Sequence, residues 1–176
     1  MNDLERFRLE KDDFFRSGNQ TPLTLEQQRS FSGLNYFPEN PALRLELFLE
    51  RSTNPGPMIL VTSTGDEREY VHIGQIRLNV SGTEAVLQVY EDDYGYFLPF
   101  SDATSPQETY GGGRYLEPHE LRSDELYVDF NLAYNPYCAY NERWSCPLPP
   151  VENRVKVRIE AGEKNFHNGN TGSSTA

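Results

Sequence analysis

Between Thr109 and Asn153 the chain collects the residue types from which binding pockets are built. Thr109-Tyr-Gly-Gly-Gly-Arg-Tyr-Leu116 opens the stretch, Asn135-Pro-Tyr-Cys-Ala-Tyr140 follows, and Trp144-Ser-Cys-Pro-Leu-Pro-Pro150 with Glu152-Asn153 closes it. Arg114 is the most telling of these, because a guanidinium is a rigid planar fork that grips a carboxylate or phosphate through two parallel bonds. The glycines before it either let a ligand approach bare backbone or simply permit a bend. They fit neither the phosphate-loop nor the dinucleotide pattern, since no Lys-Ser/Thr follows and their spacing is wrong. Arg114 could equally pair inside the protein with Asp102, Asp129 or Glu152.

A strand expected over Leu126–Leu132 would carry Tyr127, Asp129 and Asn131 on one face. Short polar groups at alternate positions suit a crowded, enclosed space, or else tie the following loop down through backbone hydrogen bonds. Tyrosines with a polar tip line small-molecule sites as well as anchoring loops. The expected site therefore comprises Tyr110, Gly112, Arg114, Tyr115, Asp129, Asn131, Tyr134, Asn135 and Tyr140, binding a small anionic molecule. Tyr137 and Trp144 are expected to anchor their loop, which the neighbouring prolines stiffen.

Two other readings stand beside this one. One is an enzyme using Asp129 as general base or Cys138 as nucleophile; the other is an interaction domain without a pocket. No G-x-S-x-G elbow, H-E-x-x-H or paired-carboxylate signature is present to favour catalysis. Cys138 and Cys146 lack the close spacing of structural zinc sites, so they are expected as reduced thiols, with no metal and no cofactor implied.

The same motifs carry a family resemblance. Thr109–Leu116, Asp129-Phe-Asn-x-Ala-Tyr-Asn-Pro-Tyr-Cys-Ala-Tyr140, Trp144–Arg154 and Ala161-Gly-Glu-Lys164 resemble domain-of-unknown-function family 1684. Similarity extends upstream through Phe31-x-Gly-Leu-x-Tyr-Phe-Pro38 and Tyr96–Phe100. The resemblance implies no activity and assigns no catalytic residue.

The chain has 176 residues, suited to one domain with one core. A net charge of −11 disfavours nucleic acid as a partner, because phosphates would meet a repelling field and no basic patch intervenes. No apolar run approaches the ~20 residues of a membrane-spanning helix, and the charged start lacks a signal-peptide core, so no membrane and a cytoplasmic location are expected. Oligomeric state is open.

The elements that must position the site are mainly β. Two short helices are expected first, near Asp3–Arg16 and after Thr24, each with a capping residue ahead of it. Strands are expected at Leu43–Glu50, Met58–Thr62, Val71–Val80, Ala85–Tyr90, Tyr94–Phe100, Leu126–Leu132 and Val155–Ile159, from alternating apolar residues. Asn54-Pro-Gly-Pro57 reads as a turn, and Gly74-Gln75 as a bulge where the alternation of Val71–Val80 changes phase. A single antiparallel barrel or closed sandwich over residues 1–166 is expected, with the helical segment 1–34 packed on it and a disordered tail over 167–176.

Overall fold

The structure is a computed structural model and describes residues 1–167. The tail expected beyond that point lies outside the described residues. Helix α1 (Asp3–Ser17) is started by a reciprocal cap: Asn2 Oδ1 accepts from Glu5 N at 2.8 Å while Asn2 N donates to Glu5 Oε2. Thr24 and Gln27 make the same exchange ahead of α2 (Leu25–Arg29). Leu4 and Phe15 are the buried side of α1, and Phe15 packs with Leu23, Phe31 and Tyr140 in a cluster that joins the helices to the later chain.

Eight strands follow: β1 (Arg44–Phe48), β2 (Glu50–Val61), β3 (Glu67–Val80), β4 (Thr83–Asp92), β5 (Gly95–Phe100), β6 (Arg114–Leu116), β7 (His119–Arg122) and β8 (Glu125–Asp129). They form two antiparallel sheets, β2-β3-β4-β5-β6 and β1-β8-β7. The protein is mainly β, with few helices, and neither sheet closes on itself into a barrel. One apolar cluster draws on both sheets, taking Ile76, Leu87 and Leu98 from the larger and Leu126 and Val128 from the smaller.

The phase change in β3 is a bulge. Pairing with β4 skips between His72 and Gly74, so Ile73 and Ile76 both reach the core from opposite parities. Gly74 is required there, since a Cβ would collide with the Glu50 carbonyl. Ser81 and Gly82, at φ 51° and 85°, make the two-residue turn into β4, a geometry whose twist matches the flanking strands.

Three expected elements differ. Asn54-Pro-Gly-Pro57 is no turn but lies within β2, whose register slips between Arg51 and Gly56. Because β2 is an edge strand, its prolines remove no ladder bond that the sheet needs. The strand expected over Leu126–Leu132 ends at Asp129, whose carboxylate accepts from Asn131 N at 3.0 Å and turns the chain into a short 3-10 turn over Phe130–Leu132. Val155–Ile159 is not a strand. Val157 and Ile159 are buried as the alternation required, but pairing is brief: Val155 N donates to Ser101 O and Val157 O accepts from Ala103 N, after which side chains take over, Ile159 N donating to Asp102 Oδ2 at 2.6 Å and Ile159 O accepting from Arg114.

Candidate functional site

Arg114 sits at the start of β6 with its guanidinium facing inward, 1% exposed. Nη2 donates to Ile159 O at 2.9 Å and lies 3.4 Å from Asp102 Oδ1; Nη1 donates to Ala161 O and to Glu163 O. The Phe37 and Phe100 rings flank it at 5.9 and 5.1 Å. Burial pushes its pKa down and Asp102 opposes that shift. Asp102 in turn accepts from Thr104 Oγ1 and Ile159 N, so every group around the cation belongs to the protein. The residue read as a ligand anchor thus clamps the 159–163 segment to β6.

The glycines before it serve this packing. A Cβ on Gly113 (φ 86°) would stand 2.6 Å from Pro149 Cγ, and one on Gly112 would enter the Tyr110 ring. Asp129 and Asn131 are tied together and to the N-terminal half: Arg44 Nε donates to Asp129 Oδ2 at 3.1 Å, while Asn131 exchanges bonds with the Asn40 backbone. Asp129 therefore has the loop-fastening role, not a free basic oxygen in a shared pocket with Arg114. Tyr140 is buried and donates to Glu163 Oε1 at 2.7 Å, where Lys11 also binds. Asn135 Nδ2 donates to Lys164 O, and its Oδ1 is buried without a described partner.

Tyr115 and Tyr134 have a different setting. They face each other edge-on, with ring centroids 5.9 Å apart, across a pair of backbone bonds in which each N–H donates to the other residue's carbonyl. Beside them opens a hollow of about 570 Å³. Its walls come from β3 (Arg68, Tyr70), β5 (Tyr96, Phe97), β6 (Tyr115) and the loop from Tyr134 to Pro147. The rings form a continuous wall: Tyr70 stacks on Phe97 at 5.1 Å, and Phe97 meets Tyr115 edge-on at 4.9 Å. Trp144 and Tyr137, 5.3 Å apart, complete the loop side. Both residues were expected to be anchors; they line the hollow, whereas Tyr140 does not.

The loop that roofs the hollow is held by main-chain bonds. Ser63 N donates to Cys146 O and Leu148 N to Val61 O, both at 2.9 Å, while Arg68 Nη2 reaches Ser145 O at 2.6 Å. The Tyr115 hydroxyl donates to Pro147 O and that of Tyr134 to Glu117. Burial raises the pKa of both tyrosines, so they stay neutral donors. Such bonding preforms the walls before anything enters.

Cys146 lines this hollow, and Cys138, which is buried, is its thiol neighbour. The Cys146 thiol hydrogen-bonds the Cys138 sulfur and pulls its pKa down to about 6, helped by Tyr110 Oη at 3.4 Å; Cys146 itself is pushed up. Among the described residues no set of three or more His, Cys, Asp or Glu side chains could hold a metal ion.

Comparison with known proteins agrees with this architecture. A family model described as a protein of unknown function (DUF1684) matches residues 29–164. The solution structure of an uncharacterised protein of Haloarcula marismortui is similar, at 36% identity over 92% of this chain and 91% of that one, with a TM-score of 0.69. No curated protein matches the chain. Among the described residues no helix is long and apolar enough to cross a membrane.

Proposed function

The chain belongs to the DUF1684 family of proteins of unknown function, and from that footing we propose that it binds a small organic molecule in the ring-lined hollow beside Tyr115 and Tyr134. One observation carries the reading: a concave site of about 570 Å³, walled by a continuous run of aromatic rings and roofed by a loop fixed through main-chain bonds. Its size falls within the range of small-molecule sites, about 300–1,000 Å³, and mostly apolar walls with a few polar tips are the usual composition. Of the residues expected from sequence, Tyr115 and Tyr134 belong to this proposal; Tyr110 does not line the hollow, and its hydroxyl donates to the Cys138 sulfur instead. Gly112, Arg114, Asp129, Asn131, Asn135 and Tyr140 do not, because their contacts serve the fold. An anionic ligand, inferred from Arg114, loses that support.

The sheets and the N-terminal helices act in this reading as one domain over residues 1–166, and reduced thiols fit a cytoplasmic protein. The test is mass spectrometry of the full chain purified gently from its host, under non-denaturing conditions. A co-purifying small molecule retained by the native protein and lost from Tyr134→Ala supports the pocket; retention of the same molecule by that variant places the site elsewhere.

A second reading is favoured by Cys138 alone. A thiol whose pKa lies near 6 is largely thiolate at neutral pH and so a competent nucleophile beside a pocket. Alkylation of the native protein tests it: a Cys138 that reacts only after unfolding removes the cysteine enzyme.

A further inference from the structure

Resting on the pocket reading above, we propose that the ligand is an organic cation, an alkylated or quaternary ammonium group held against the aromatic wall. The argument is charge complementarity between that group and what surrounds the rings.

Two carboxylates, Asp92 and Glu117, stand on the wall of the hollow against one guanidinium, Arg68. Each carboxylate has one oxygen engaged, Asp92 Oδ1 by Tyr94 N at 2.8 Å and Glu117 Oε1 by the Tyr134 hydroxyl. The second oxygen of each has no hydrogen-bond partner among the described residues. Arg68 uses one of its five N–H donors on the Ser145 carbonyl at 2.6 Å.

The rings supply the second part of the attraction. An aromatic face carries a negative quadrupole that draws a cation lying within about 6 Å of the centroid, and clustered rings are the usual receptor for quaternary ammonium. Cations of the protein already use rings in this region from its outer side: Lys11 Nζ lies 5.1 Å from the Tyr134 centroid, and the Arg143 guanidinium 5.1 Å from that of Trp144. An anion placed in the same hollow would face two carboxylates, Asp92 and Glu117, against the single guanidinium of Arg68.

The single tryptophan of the chain, Trp144, lines the hollow and reports on it. Its emission is followed while the full-length protein is titrated with three probes of one ring size: benzyltrimethylammonium, benzyl alcohol and benzoate. The cation is expected to saturate the signal roughly tenfold more tightly than the neutral alcohol, a gap within the range of a desolvated cation–π contact. Asp92→Asn combined with Glu117→Gln is expected to abolish most of that gap; both side chains are exposed, and the amide oxygens can still accept from Tyr94 N and the Tyr134 hydroxyl. Equal affinities, or tighter binding of benzoate, overturn the cation while leaving the pocket in place. Failure of all three probes to saturate overturns the pocket reading as well.

Discussion

Arg114 and Asp102 form an ion pair in the middle of the molecule, Nη2 to Oδ1 at 3.4 Å, with neither side chain more than 2% exposed. The guanidinium also holds the carbonyls of Ile159, Ala161 and Glu163, which have no strand partner. Arg114→Met removes that clamp and leaves Asp102 uncompensated in the core. The expected loss is ~3–5 kcal/mol of unfolding free energy, the range for breaking a buried pair. Arg114→Lys keeps the charge but cannot span the carbonyls, and is expected to lie between the variant and the wild type. Denaturant unfolding measures both; a change under about 1 kcal/mol for the methionine would mean the clamp is ornamental.

Phe130 is fully buried and meets Phe100 edge-on at 5.4 Å where the two sheets share their core. Phe130→Ala is expected to cost ~3–5 kcal/mol, as for other large cavities. Calorimetric melting checks it, and a surface-like effect would show that the two sheets do not pack through this residue.

The thiol pair gives a prediction in pH. Cys138 is lowered to about 6, chiefly by the hydrogen bond from Cys146, so its thiolate fraction rises through that pH instead of near the ordinary value of about 8.5. Iodoacetamide labelling of the native protein, followed by peptide mass mapping, is expected to show Cys138 modified with a midpoint near pH 6 and Cys146 spared. Cys146→Ala removes the donor and is expected to move that midpoint upward. An unchanged profile in the variant would mean that Cys146 does not set the Cys138 titration.

Much of the fold was legible because a half-buried strand writes its burial at every second residue. Leu45 and Leu47 in β1, Leu87 and Val89 in β4, and the bulge at Gly74 were all readable in that way. The same rule misled at Val155–Ile159, where Val157 and Ile159 alternate inward but backbone pairing stops at Ser101 and Ala103, and Asp102 and Arg114 take over at Ile159. Prolines hid the length of β2, since an edge position that tolerates them looks like a turn in one dimension.

The site was less legible, for a different reason. Residue type shows that Arg114 needs a partner, but not whether that partner is a ligand or Asp102. The hollow is assembled from Tyr70, Phe97, Tyr115 and Trp144, drawn from distant parts of the chain, and no local spacing brings them together.

The central claim is that the hollow beside Tyr115 and Tyr134 is where this protein binds, and amide and aromatic NMR during a fragment screen tests it most directly. Fragments that bind are predicted to shift the signals of Tyr96, Tyr115, Tyr134 and the Trp144 indole together, with Asn131 and Asp129 unmoved. Shifts gathered around Asp129 and Asn131, or a screen in which no fragment perturbs those rings, would contradict the account.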